Sequence, residues 1–161
     1  MPSEQLVHAL YQTVNALSVA IAERDTYTAD HQHGTATLAR VLAEQLGMNL
    51  HTRNGLRVAA TLHDIGKIAV PTAILTKPTR LSPAEMDLVG QHAEAGYRIL
   101  KNIDFPWPVA EIVVQHHERL DGSGYPQGLA GNGILPEARV LAVADTIESM
   151  LCDRPYRRRV S

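Results

Sequence analysis

Thr61-Leu62-His63-Asp64-Ile65-Gly66-Lys67 sets an imidazole beside a carboxylate and puts an ammonium three residues on, all among apolar neighbours. Ionisable side chains in such a setting need partners. Adjacent residues on a helix project about 100° apart, so His63 and Asp64 converge only on something lying between them. A divalent cation fits that description. Asp64 also has two oxygens with which to bridge two cations, which one imidazole cannot do. Taken alone, the pair reads as a polar helix end capped by Gly66, so the flanking chain must supply the remaining ligands.

Upstream, Asn49 caps a helix through Leu56, Val58, Ala59, Ala60 and Leu62 that delivers His63 and Asp64 at its C-terminal end. Before it, the polar turn 24–31 leads into a helix whose apolar positions are Leu38, Val41, Leu42 and Leu46 and which Gly47 stops. His31 stands at the start of that helix; His33 points to another side, and His51 reads as solvated. Residues 4–24 carry Leu6, Val7, Leu10, Val14, Leu17 and Ile21 at helical spacing with no proline inside. This is an amphipathic helix, and its His8 is a surface or packing residue.

Downstream, residues 68–78 hold two prolines with apolar Ile68, Val70, Ile74 and Leu75, which predicts an ordered, packed connection. Ser82-Pro83-Ala84-Glu85 is a helix start with a reciprocal cap, and that helix, or a pair of short ones, carries His92. Pro106 and Pro108 open a helix with a Val109, Ile112, Val113 stripe that ends in His116-His117-Glu118. These paired histidines repeat the logic of His63-Asp64. Five glycines in the 13 residues 121–133 would read as a flexible loop, but Tyr125-Pro126 restricts it and adds a stacking surface. It reads as a shaped loop near a site. The last helix, 136–151, sets Asp145 among Val140, Leu141, Val143, Ala144, Ile147 and Met150, its core positions. Cys152 reads as a small packing residue. In the basic tail, Arg154 and Arg157 lie close enough to Asp145 to present forked donors to phosphate oxygens beside it.

A chain of 161 residues with 45% hydrophobic content holds one domain, 1–161, with residues 1–23 a helix that could link to an upstream domain. The net charge of −2 provides no basic field for a nucleic acid polymer or an anionic membrane. A single cysteine excludes an internal disulfide framework and suits a reducing cytoplasm. No apolar run approaches the ~20 residues that span a bilayer. Repeats, low-complexity tracts and sustained period-two alternation are all missing, so strand content should be low and the expected fold is all-α.

His31, His63, Asp64, His92, His116, His117 and Asp145 together make five imidazoles and two carboxylates, enough for two metal ions. Nitrogen and carboxylate ligands without thiolates suit iron, manganese, zinc or nickel. A two-metal site is a standard arrangement for phosphoester hydrolysis.

The His63-Asp64-Ile65-Gly66-Lys67 pattern, His116-His117-Glu118-Arg119, Asp121-Gly122-Ser123-Gly124-Tyr125-Pro126, Val143-Ala144-Asp145 and Asp153-Arg154-Pro155-Tyr156-Arg157 resemble the HD-GYP family of HD-domain metal-dependent phosphohydrolases over about residues 24–157. The resemblance implies a helical bundle around a bimetal or trimetal centre. It also implies hydrolysis of the bacterial messenger cyclic di-GMP to pGpG, GMP or both, here read as attack by a metal-bridging hydroxide. The family's metal positions fall on His31, His63, Asp64, His92, His116, His117 and Asp145, with Asp64 bridging. Lys67 falls on its lysine, Arg154 and Arg157 on its phosphate-holding residues, and Gly124-Tyr125-Pro126 on a loop bordering the nucleotide or a partner. Two positions depart from the family. Tyr27 stands where a third-metal glutamate is expected, so two metals, iron or manganese foremost, are predicted. Gly34-Thr35 replaces an Arg-Val pair, which would loosen the second helix or remove a contact behind the ligands. The rival readings are a cyclic-dinucleotide-binding module with little turnover and a phosphohydrolase for another nucleotide. Sensory, receiver or GGDEF-type domains are the expected partners.

Overall fold

A computed structural model of the chain describes residues 4–24 and 28–151, and of 28–30 the backbone alone. Eight α-helices occupy these residues: α1 (Glu4–Ala22), α2 (Thr28–Gln45), α3 (Leu50–Leu62), α4 (Thr72–Leu75), α5 (Pro83–Gly90), α6 (His92–Leu100), α7 (Val109–Gln115) and α8 (Pro136–Leu151). Short 3₁₀ turns at Ile65–Ala69 and Gly131–Gly133 join them. The only β pairing among the described residues is an isolated bridge between Asp121 and Ala130, so the expectation of an all-α fold holds.

The helix boundaries follow from local chemistry. Gly47, at φ +69°, lets the chain leave α2 in the left-handed conformation. Two residues later the Asn49 side chain accepts the Thr52 N–H at 2.9 Å and starts α3. Ser82 accepts from the Glu85 N–H while Glu85 accepts from the Ser82 N–H, a complete capping box with Pro83 at the first helical position. The histidine-bearing stretch after it is a pair of short helices, α5 and α6.

Helix α3 is the central strut. Its Leu56, Val58, Ala59, Ala60 and Leu62 are buried with Ile112 and Val113 of α7 and Leu141 of α8 in one hydrophobic cluster. Full burial of Leu56 and Leu62 contributes about 1.5–3 kcal/mol each. Trp107 lies against Gly55, where a Cβ would stand 2.6 Å from its Cγ. α2 packs chiefly against α8 and α3, which brings His31 and Asp145 to the end of α3 that carries His63.

Several positions read as core are on the surface. Val41 and Leu46 of α2 are 41% and 65% exposed, and Leu6, Val7 and Leu17 of α1 and Val143, Ile147 and Met150 of α8 are exposed as well. Val140, Leu141 and Ala144 of α8 are buried as expected, and the other buried positions include small and polar groups: Thr35, Ala39 and Ala43 on α2, and Ala138 and Glu148 on α8. Close helix packing selects small residues over the most hydrophobic ones. In the connection 68–78, Val70 is buried and Ile68 is exposed. No helix of the described residues is long and apolar enough to cross a membrane.

Candidate metal centre

Every described residue proposed as a metal ligand reaches one place. His31 comes from the first turn of α2, His63 and Asp64 from just past α3, His92 from the first position of α6, His116 and His117 from just past α7, and Asp145 from the middle of α8. Two triads of ligand atoms form, His31 with His63 and Asp64, and His92 with His116 and His117. Within each triad the atoms lie within 4.8 Å of one another. Asp64 links the first triad to the second, with Oδ2 3.5 Å from His63 Nε2 and Oδ1 3.6 Å from His92 Nε2. Asp145 Oδ1 joins the first triad, 3.0 Å from His31 Nε2 and 3.8 Å from His63 Nε2.

The orientation of the imidazoles tests whether cations fit. The Nδ1 atoms of His63, His92 and His116 lie 2.8, 2.7 and 2.5 Å from the carbonyl oxygens of Ala60, Val89 and Val113. A carbonyl only accepts, so each Nδ1 carries the proton and each Nε2 keeps a lone pair aimed inward. His92 Nε2 and His116 Nε2 face each other at 3.3 Å, and His63 Nε2 is buried with no hydrogen-bond partner among the described residues. Converging lone pairs in a buried site cost free energy unless something electron-poor lies among them. Divalent cations fit this donor set.

The protonation states agree. Burial lowers the pKa of His92, burial and the neighbouring His117 hold His116 well below the ordinary value, and burial with His92 brings His117 down to about 3. These three are neutral at pH 7, as ligands must be. Burial alone would raise Asp64, but Lys67, His63 and His92 outweigh it and keep the carboxyl well below the usual range. Asp145 is likewise depressed, against the effect of burial, by the hydrogen bond from His31 and by His63 and His116. His31 is the exception: burial would lower it, but Asp145, Asp64 and Glu148 raise it.

Lys67 places Nζ 2.8 Å from Asp64 Oδ2, one turn along the chain. The backbone there is tightly set, because a Cβ on Gly66 would collide with the His92 carbonyl oxygen. On the other flank, the Tyr125 ring stacks on His117 with centroids 4.8 Å apart and planes 29° apart. Burial, then the Asp145 and Asp64 charges, push its phenol up to about 12, so it stays neutral. Tyr125-Pro126 is a cis peptide, and a Cβ on Gly124 would collide with the backbone of Glu118 and Arg119. The loop containing Gly124, Tyr125 and Pro126 therefore borders the centre.

Two buried acids that the sequence reading does not single out act as positioning groups. Glu118 is 3% exposed and accepts the Gln127 N–H at 2.7 Å and the Leu129 N–H at 2.9 Å, pinning the glycine-rich loop to the end of α7. Its signal was a carboxylate directly before a loop rich in backbone donors. Glu148 contacts His31 Nδ1, and its signal was its place three residues after Asp145 on the same face of α8. His33 and His51 are exposed, as expected, although His51 also packs near Trp107. Tyr27, Cys152, Arg154 and Arg157 lie outside the described residues.

Helices gathered around an adjacent His-Asp pair, with further histidines closing on it from neighbouring helices, define an all-α domain with groups that could hold metal ions. Residues 12–161 match the family model described as HD domain, and the chain belongs to the HD-domain family. It is 41% identical over 148 residues to the cyclic di-GMP phosphodiesterase response regulator RpfG of Xanthomonas campestris pv. campestris, covering 91% of this chain and 39% of that protein. It is 38% identical over 144 residues to 3'3'-cGAMP-specific phosphodiesterase 3 of Vibrio cholerae, covering 89% of this chain and 31% of that protein. The chain thus spans well under half the length of these relatives. Among solved structures, Bd1817, an HDG"Y"P protein from Bdellovibrio bacteriovorus, superposes with a TM-score of 0.66 at 26% identity, covering 77% of this chain and 42% of that one.

Proposed function

We propose that residues 1–161 form a single metal-dependent phosphodiesterase domain that hydrolyses cyclic di-GMP to pGpG, GMP or both in the bacterial cytoplasm. The observation that carries this reading is Asp64, which turns Oδ2 toward His63 and Oδ1 toward His92, histidines of two separate ligand groups. His31, His63, Asp64 and Asp145 would hold one divalent cation, and Asp64, His92, His116 and His117 the other. Iron or manganese is the preferred pair, with zinc and nickel as alternatives. When bound, the ions supply Lewis acidity at the phosphoryl oxygens and a nucleophile generated from water near neutral pH.

The chain's own groups position and balance charge. Asp64 and Asp145 stay ionised and offset the positive charge of the centre. The Lys67 ammonium fixes Asp64 and adds positive potential where phosphoryl oxygens would lie. Tyr125, neutral and stacked on His117, presents an aromatic edge to a nucleobase at the rim. Glu118 keeps that loop in place. Arg154 and Arg157 are assigned to the phosphates from the sequence. The RpfG relative is named a response regulator, which supports a receiver domain as partner; sensory and GGDEF-type domains remain part of the proposal.

A second substrate, 3'3'-cGAMP, is favoured by the Vibrio cholerae relative that bears its name. The test is product analysis with cyclic di-GMP and 3'3'-cGAMP, each at measured metal content. Linear product from cyclic di-GMP, lost together with bound metal in Asp64→Ala and His117→Ala, is expected. A larger kcat/KM for 3'3'-cGAMP would move the assignment to that messenger. Tight binding without product after long incubation in manganese or reduced iron would leave a binding module in place of an enzyme.

A further inference from the structure

His63, His92 and His116 are oriented in the same way, each donating Nδ1–H to a backbone carbonyl three residues earlier. His31 is held differently. Its Nδ1 meets the Glu148 carboxylate, which comes from α8 and is 6% exposed, while its Nε2 faces Asp145 one turn earlier on α8. The ring is thus gripped edge to edge by two carboxylates of one helix.

The room for this grip comes from Gly34. A Cβ there would stand 2.8 Å from Glu148 Cγ and 2.9 Å from its Oε1, too close for both to keep their places. Gly34 follows His31 by three residues on α2, so the missing side chain lies beside the ring that Glu148 holds. At Gly34, where the family resemblance implies a lost side-chain contact, Glu148 of the opposite helix fills the space.

We infer that Glu148 is a positioning residue for His31, admitted by Gly34, and that the two half-sites consequently differ. One contains His92 and His116, both tied to backbone carbonyls, and the other depends on a carboxylate behind one of its imidazoles. A carboxylate accepting Nδ1–H fixes the tautomer, holds the ring plane and strengthens Nε2 as a donor. Losing it therefore weakens one ion of the pair and spares the other. This inference rests on the two-cation reading above.

The experiment is a titration of the metal-stripped protein with Mn²⁺, reading stoichiometry and affinity without substrate. Wild type is expected to bind two ions. Glu148→Ala is expected to keep one at unchanged affinity and bind the other about 10–100-fold more weakly. Glu148→Gln, which keeps an acceptor of the same size, is expected to fall between the two. Gly34→Ala should reproduce the selective loss, and Gly34→Ala combined with Glu148→Asp should recover part of it, because the shorter acid gives up the space the methyl needs. Wild-type affinity at both sites in Glu148→Ala overturns the inference. So does equal weakening of both sites, which would mark Glu148 as a general prop between α2 and α8. A wild type that binds no Mn²⁺ would instead overturn the reading on which the inference rests.

Discussion

Burial works on the charge of each residue in this centre, and its sign differs between imidazole and carboxyl. His92, His116 and His117 are kept neutral below their ordinary value of 6.5, while an unfolded chain takes up protons there. The unfolded state then binds more protons, so stability rises with pH and is lost as pH falls below about 6.5, by about 1.4 kcal/mol per unit for each histidine while it stays neutral. For His117 this loss continues until about pH 3. Asp64 and Asp145, with depressed pKa values, add a separate loss as pH falls below their ordinary value of 3.8. His31 runs the other way: its raised pKa gives stability that is full below its unfolded value and lost as pH rises through the folded one. Three histidines outweigh one. The chelator-treated protein should lose urea resistance steadily from pH 7 to pH 5, measured as the unfolding midpoint, and a flat or rising midpoint would contradict the neutral burial of the three.

At the scale of elements, the ends of helices carry the chemistry. His63 and His116 close their helices with helical backbone angles, and Asp64, at φ −93° and ψ 5°, leaves that geometry, so each pair stands where a helix gives way to a loop. The glycine-rich loop is ordered by one buried acid. Glu118→Ala removes a carboxylate from two backbone N–H groups, and hydrogen bonds to charged groups contribute about 1.5–3 kcal/mol each. The expected outcome is a KM for the cyclic dinucleotide raised about tenfold, equivalent to ~1.4 kcal/mol, with metal content unchanged. Steady-state kinetics beside metal analysis checks it, and a loss of metal with unchanged KM would show that Glu118 supports the ligands instead. Helix boundaries were legible because caps are local: Asn49 and Ser82 with Glu85 at starts, and Gly47 at an end, act within a few residues of themselves. The buried faces of α2 and α8 were legible only in part, because the period of hydrophobic residues reports a generic core. Val140, Leu141 and Ala144 are buried as read, but Ala39, Ala43 and Ala138 also go inside on close-packed helices, while Val41, Leu46 and Val143 stay out.

For the whole molecule, the proposed cations would tie together α2, α3, α6, α7 and α8, so binding them is linked to folding. A ligand at 100 times its Kd stabilises the native state by about 2.7 kcal/mol. For a chain of this length that corresponds to about 5–10 °C in Tm. Thermal melts with Mn²⁺ against chelator should show a rise of that size, and coincident melts would argue against a centre that spans the bundle. The sequence by itself determined the all-α class, the caps, and which histidines and aspartates could act, since residue type, spacing and capping express local free energies. Tertiary structure decided that His31, His63, Asp64, His92, His116, His117 and Asp145 meet, and that one Asp64 oxygen faces His63 and the other His92. It also decided that Glu148 occupies the space left by Gly34, a contact between helices far apart in the chain. Such contacts depend on how helices pack, and no local preference along the chain encodes the distance between them.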